Sequence, residues 1–447
     1  MSALLDLLTD VLARARTKGA TEADAFVVED QSFSAQVRMG RVDTVKHARD
    51  QHLALRVFVG RSAAAASTSD LSRESLGRLV DEAVTLARIT APDPLSGLAD
   101  QSELARSVPD LGLDDPRGHD LEPEAKIDLA RRCEQAALGY DPRITNSEGG
   151  DFGDGHARYA YATSHGFRGE YRSSSFSLST SPLATHNGEM QRDGWYHITR
   201  KRASLDAPEA IGRVAAQRAL RRLGGRRVKT AEVPVIFDPQ MAASLIRHIA
   251  GAASGPSLYR GASFLLNRLG ETIAAPSITI VDDGTLPGAL GSRPFDGEGL
   301  PTRRTVVVDR GVLASYLLDS YSARKLGLAS THHAARDGSG VSVSTTNLHL
   351  ASGDASPESL IRSVKNGLYV TELIGFGVNG VTGDYSRGAV GMWIDNGELA
   401  YPVEEITVAG NLLDMFRAVE GVGNDLVFRD RTAAPTLLIG RMVVAGD

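Results

Sequence analysis

His248 lies in the run HIAGAASG, after the apolar positions Met241, Leu245 and Ile246 of an expected helix. An imidazole holds a hydrolytic zinc ion only when other imidazoles, thiolates or carboxylates converge with it and one position stays open to water. A zinc-protease helix places a glutamate directly after its first histidine and a second histidine further along the same face. Ile249 and Ala250 to Ala253 stand in those places, so His248 reads as a packing or hydrogen-bonding residue. His332-His333 precedes Arg336 in a polar stretch and reads as solvated loop. Ser386, in GDYSRG, lacks the G-x-S-x-G spacing of a nucleophile elbow. The glycines around it do not spell a phosphate loop either, because no Gly-Lys-Ser/Thr follows. Asp384 and Arg387 are expected to form an internal ion pair that fixes a loop, and Glu404-Glu405 to complement the dipole at a helix start. Cys133 reads as a small, partly buried helix residue. These residues make no complete catalytic set, and no catalytic residue or metal ligand is assigned.

The elements that would position them follow from periodicity. Leu4, Leu8, Val11 and Ala15 form one face of an opening helix that Gly19 can end. Four short strands, DAFVVED, SFSAQVRM, VDTVKHA and HLALRVFVG, then suggest an antiparallel meander with one wet face. Asp70 is the expected N-cap of a second helix reaching about Ile89. The Pro- and Gly-rich stretch from Thr90 to Glu124 reads as a long surface connection and a lid candidate. A helix follows from about Glu122 to Leu138. Beyond it, Tyr159, Tyr161, Phe167, Tyr171 and Phe176 alternate with small or polar residues as in a two-faced sheet. A helix from Glu209 to Leu223 runs into Gly224-Gly225-Arg226-Arg227, the expected boundary between domains 1–225 and 226–447.

In the second half, Val233 to Phe237 reads as a strand and Asp238-Pro239 as the cap of the His248 helix. Further strands are expected at 277–281, 304–309, 312–318, 347–350 and 368–373, with a short helix at 320–326. The long loop from Gly284 to Thr302 is of the kind that frames a cleft. Asn396-Gly397 is the strongest hairpin signal. Beyond Glu404, the spacing of Ile406, Val408, Leu412, Leu413, Met415, Phe416 and Val419 includes helical steps. The fold class predicted is α+β: an N-terminal α+β domain with an antiparallel sheet and helices, and a β-rich C-terminal domain with short helices.

With 447 residues, 49 basic against 55 acidic side chains and a net charge of −6, the chain is expected to be folded and soluble, and not a general polyanion binder. The single cysteine excludes an intrachain disulfide and a cysteine-rich metal site. The opening MSALLDLLTDVLARARTKG has Asp6 and Asp10 and no basic residue before its leucines, which is unlike a secretory signal. No uninterrupted apolar run has membrane-spanning length. A cytoplasmic location is expected.

The run VNGVTGDYSRGAVGMWIDNGELAYPVEEITVAGNLLDMFRAVEGVGND closely resembles the C-terminal signature of the TldD/PmbA family, once called modulators of DNA gyrase and understood as metalloproteases. SLYRGASFLLNRLGETI and the N-terminal strand order add to the resemblance, which touches nearly the whole chain. In the TldD kind, an HExxxH helix binds zinc and a cysteine after the VGND segment completes the site. Here His248 matches the first histidine, but Ile249 and Ala253 replace the glutamate and the second histidine. No cysteine follows Asp425.

The chain therefore resembles the PmbA kind, also called TldE, which lacks the zinc site and pairs with a TldD-type subunit to degrade unfolded or extended peptides. The resemblance implies no cofactor on this chain and zinc in the partner; the acidic balance argues against direct nucleic-acid binding and the lack of a spanning apolar run against a membrane, and a homodimer in isolation is a further expectation. The glycine-rich surface suits subunit contact or a peptide cavity, where added-strand backbone bonds hold an extended peptide. Its candidate residues are His248, Tyr259, Arg260, Gly383, Asp384, Ser386, Arg387, Gly388, Tyr401, Glu404 and Glu405. Two alternatives stand beside this reading. One is a regulatory protein acting on gyrase or a toxin–antitoxin partner, and the other an independent homodimeric hydrolase using Tyr259, Arg260, Asp384 and Arg387.

Overall fold

The computed structural model describes residues 2–338 and 340–446. The first half is built on long antiparallel strands: β1 (Glu22–Arg38), β2 (Arg41–Val59), β3 (Ser62–Thr68), β4 (Ile144–Thr163), β5 (Arg168–His186), β6 (Glu189–Arg192) and β7 (Trp195–Thr199). They form one sheet in the order β3-β2-β1-β4-β5-β6, with β7 also on β5. The four short strands expected before residue 60 are two continuous ones. Asp50 does not break the chain because it sits in register opposite Asp30, and β1 is paired along its length with both β2 and β4. Continuous pairing of β2 with β1 through this position outweighs a local turn preference.

Helices α1 (Ala3–Thr17) and α2 (Arg73–Ile89) cover one face of this sheet, burying Leu8, Val11, Leu79 and Val80 against Ala25, Val27, Leu55 and Val57. The N-cap of α2 is Ser72, whose side chain accepts from the Ser75 N–H. Asp70 instead accepts from the backbone N–H and hydroxyl of Ser72 and orients that cap. Further along, α3 (Pro123–Leu138) and α4 (Pro208–Leu220) pack together, and Cys133 is fully buried between them and the sheet. The opposite sheet face, expected to be wet, is covered around Asp24 and Tyr161 by Phe295 and Arg336 from the second half.

The connection from 90 to 122 is a strap, not a lid. Tyr321 donates to Asp93, Arg324 donates to the carbonyls of Gly97 and Leu98, and the Gly288 N–H bonds the Leu111 carbonyl.

The second half begins with β8 (Ala231–Phe237), α5 (Pro239–Ala252) and α6 (Gly255–Tyr259). It continues through β9 (Ile280–Asp283), β10 (Arg304–Asp309), β11 (Val312–Leu313), α7 (Ser320–Leu326), β12 (Ala334–Asp337), β13 (Gly340–Val343) and β14 (Leu348–Leu350). Then come α8 (Pro357–Ser363), β15 (Asn366–Ile374), β16 (Asp384–Asp395), β17 (Glu398–Asn411), α9 (Leu412–Arg417), β18 (Val419–Val422), β19 (Thr432–Ala433) and β20 (Leu437–Ala445).

One sheet runs β17-β16-β15-β8-β20-β18, and β17 also pairs with β20, so five of its strands close on themselves. The largest core packs against these strands and includes Phe237, Leu245, Ile249, Tyr385 and Phe416. A second sheet runs β11-β10-β9-β14-β19, while β12 and β13 form a separate hairpin. The fold is α+β. None of the described helices is long and apolar enough to cross a membrane.

Two local expectations meet their physics differently. Asn396 and Gly397 both take positive φ, 50° and 81°, and close the β16–β17 hairpin with Asp395 opposite Glu398. The helix expected from Glu404 onward starts only at Leu412. Ile406, Thr407 and Val408 are β-branched, pair with β16, and pair again through Thr407 and Val408 with β20. Glu404-Glu405 is thus a strand segment and caps no helix.

Candidate functional site

Helix α5 positions His248. Asp238 caps the helix by accepting the Met241 N–H at 2.9 Å, with Pro239 in the first turn. Ile249 and Ala253 face the core, 1% and 0% exposed, while His248 is half-buried at a cavity of about 550 Å³. Arg247, Ser244 and Gly251 share that wall, and Arg387, Phe264 and Phe376 face it. The loop 375–383 folds back on β16, with the Ser386 N–H bonding the Gly377 carbonyl at 2.7 Å. Only glycine fits at 377, because a Cβ there would collide with the Ser386 carbonyl oxygen. Phe376, on the same loop, is fully exposed at the mouth of the cavity, flanked by exposed Ile374 and Val381.

The electrostatics of this cavity are cationic. Burial, then the neighbouring charges of Arg387 and Arg247, push the His248 pKa below the ordinary histidine value. Its Nε2 is buried without a partner, and so is the Arg387 Nε, while the Tyr385 hydroxyl is buried beside the Arg387 side chain. The His248 and Tyr385 rings meet edge to face with centres 6.2 Å apart. Arg387 spends one Nη on the Leu373 carbonyl, 3.2 Å away. Among the lining residues, His248 is the sole imidazole, and none is a carboxylate or thiol.

Of the other candidates, the structure brings only Arg387 to this wall with His248. Gly383 packs behind it near Phe264 and Asn411. Asp384 makes no ion pair with Arg387: its carboxylate accepts from the Thr382 hydroxyl at 2.6 Å and from Asn411 at 3.3 Å, bonds that lower its pKa. The two residues start a strand, where side chains three apart point to opposite faces. Ser386 is exposed and Gly388 half-buried on the same strand. Tyr259 packs edge-on to Tyr321, 6.0 Å between centres, with the Arg260 guanidinium over its ring. Tyr401, Glu404 and Glu405 hold β6 and the segment between α4 and β8. Arg226 stacks 3.5 Å above the Tyr401 ring, Gln191 donates to Glu404 at 2.7 Å, and Arg227 pairs with Glu405.

His333 also departs from expectation. Instead of a solvated loop residue it is 2% exposed, with Nε2 at 3.1 Å from Asp282 and Nδ1 at 2.9 Å from the Thr331 hydroxyl. Its backbone N–H bonds the Leu318 carbonyl, which draws the segment under the β9 sheet. Arg247, Phe264 and Phe376 are cavity residues that sequence reasoning missed. Arg247 alone carried a signal, as a charge beside His248 on an otherwise apolar helix.

Comparison with known proteins matches the PmbA/TldA metallopeptidase family along the chain: domain 1 over residues 23–87, the central domain over 116–223 and the C-terminal domain over 230–446. The chain belongs to the PmbA/TldD family. It is 42% identical to the metalloprotease PmbA of Escherichia coli O157:H7 over 436 residues, 98% of this chain and 94% of that one. Among solved structures, a putative modulator of DNA gyrase from Bacteroides thetaiotaomicron superposes with a TM-score of 0.92 at 31% identity, covering 99% of this chain and 98% of the other. TldE from Thermococcus kodakarensis has the same fold, with a TM-score of 0.89 at 20% identity over 98% and 100% of the two chains. The PmbA/TldD family is one of metal-dependent peptidases. Within this PmbA/TldD chain, no described group of three or more His, Cys, Asp and Glu residues converges as a metal site.

Proposed function

We propose that the chain is the PmbA/TldE-type subunit of a two-chain zinc peptidase, without a zinc site of its own, shaping the chamber in which a TldD-type partner cleaves unfolded or extended peptides. The observation that carries this reading is the donor set at His248. A zinc site needs several neutral or anionic donors around one open position. His248 has two guanidiniums as its charged neighbours, and the positions expected to hold the glutamate and second histidine are apolar core. A cation placed here would be repelled, so the residues present do not fit the metal.

The exposed apolar lip of Ile374, Phe376 and Val381 beside the cavity supports a contact role, because an exposed apolar patch on a folded chain marks an interaction surface. The similarity to a protein named TldE favours the same role. Within this reading the chain works in the cytoplasm as two units, 1–225 and 226–447. The alternative of an independent hydrolase loses its geometric support, since of Tyr259, Arg260, Asp384 and Arg387 only Arg387 lines the cavity.

The test is metal analysis and digestion of an unstructured peptide, with and without a TldD-type chain. The chain alone should carry substoichiometric zinc and leave the peptide intact, and addition of the partner should produce cleavage. Stoichiometric zinc together with cleavage by the isolated chain overturns the reading.

A further inference from the structure

A second cavity of about 410 Å³ opens where the tyrosine face of β4 and β5 meets the loop 284–302 and the segment after β13. One wall is aromatic. Tyr159 and Tyr171, opposite each other in register, stack with ring centres 4.8 Å apart, and Phe295 meets Tyr171 edge-on at 5.4 Å. The other wall is cationic, made by Arg200, Arg293 and Arg431.

None of these three guanidiniums has a carboxylate partner among the described residues. Arg200 gives its two Nη groups to the carbonyls of Ser174 and Leu290 and keeps Nε buried without an acceptor. Arg293 has both Nε and Nη2 buried without one. Burial, then the Arg431 charge, depresses the Arg200 pKa, the signature of a cation short of counter-charge. A fourth arginine in the wall, Arg336, is already neutralised by Asp24 at 2.6 Å. The acid in the wall, Asp296, accepts the backbone N–H groups of Glu298, Leu300 and Ala334; the Arg293 charge acts on it, but the two make no direct ion pair. A buried donor without an acceptor costs stability unless a ligand or water satisfies it.

We propose that this cavity binds a carboxylate bearing an aromatic ring, with Arg293 and Arg431 holding the carboxylate and the Tyr159–Tyr171 wall receiving the ring. The planar guanidinium fork matches a carboxylate in two parallel hydrogen bonds. Flat aromatic walls accept a ring in offset or edge-on contact, and a space of this size takes one ring with its acid group. Two sources share this chemistry: a free aromatic acid, and the C-terminal residue of a peptide. The peptide source rests on the peptide-handling reading above, whereas the free acid does not.

Calorimetric titration of the full chain alone tests the site. The probes are N-acetylphenylalanine, its C-terminal amide, inorganic phosphate, and one short peptide ending in phenylalanine as free acid and as amide. The free acid should bind saturably, and the amide roughly tenfold or more weaker, as expected for loss of a charged hydrogen bond. Arg293→Gln and Arg431→Gln should each weaken the acid by about tenfold or more. Arg431 is exposed, so its variant keeps the fold. Tyr171→Leu should weaken the acid as well.

Binding of the peptide acid identifies a chain terminus as the source, and binding of the free acid alone identifies a small molecule; both support the site. No saturable binding of the acid, equal affinity for acid and amide, or preference for phosphate overturns it. Because the titration uses neither zinc nor partner, failure of the cleavage experiment leaves it standing, and the reverse holds too.

Discussion

Asp24 and His248 are both polar side chains set against apolar packing, yet their surroundings are opposite. Asp24 is fully buried and meets Arg56, Arg336 at 2.6 Å and the Tyr161 hydroxyl at 3.0 Å. Burial alone would raise its pKa, but Arg336 and Arg56 more than offset this and hold the carboxyl below its ordinary value. Its partner Arg336 comes from the far end of the chain, so the cluster binds the first sheet to the second half. At His248, by contrast, the nearby charges have the same sign as a protonated imidazole, and His248 Nε2 and Arg387 Nε are buried without partners. Matched charge marks a structural joint. Unmatched polar groups at an open cavity mark a surface shaped for something outside the chain.

The largest expected effect is at the joint. Asp24→Ala leaves two buried guanidiniums unneutralised and should lower unfolding stability by about 3–5 kcal/mol. Denaturant titration checks this, and a loss under about 1 kcal/mol would reduce the joint to an ordinary surface pair.

Glu298 is the intermediate case, a fully buried carboxylate whose pKa is raised, first by burial and then by Asp296. Since the folded state binds its proton more tightly than the unfolded state, stability falls as pH rises from the ordinary glutamate range toward neutrality, with a slope of at most about 1.4 kcal/mol per pH unit. Glu298→Gln should remove that part of the slope while keeping a side-chain oxygen for the Ser320 N–H. An unchanged stability-versus-pH curve would show that Glu298 is matched after all, like Asp24.

The smallest effect belongs to His248. An apolar residue of similar size there loses no hydrogen bond at Nε2, so His248→Leu should shift stability by no more than about 0.5 kcal/mol at pH 8. Its pKa is depressed on folding, so the wild-type chain loses stability as pH falls below the ordinary histidine range, and the variant should lose less. A large loss at pH 8 would place His248 with Asp24 as a structural residue.

Much of the framework was legible from local rules. The Asp238-Pro239 cap, the α7 helix over 320–326 and the Asn396-Gly397 hairpin each rest on residues close in sequence. The same holds for the missing donors at positions 249 and 253, which the chain states directly. The site was less legible. Arg387 and Phe264 reach the His248 cavity from segments more than a hundred residues apart, and no local pattern encodes that approach. The expected Asp384–Arg387 pair failed because the segment is strand, which sends the two side chains apart.

The sequence by itself determined the α+β character, the turns and caps, the family signature, and the absence of a zinc-ligand pattern around His248. These depend on side-chain type and on periods of two or 3.6 residues, both properties of neighbouring positions. Only the tertiary structure decided that four short strands are two long ones, that His333 is buried on Asp282, that Glu404-Glu405 lies in a strand, and that Asp24 is neutralised by Arg336. Each of these depends on which distant backbone supplies the missing hydrogen bond or counter-charge, and that partner is set by packing, not by spacing along the chain.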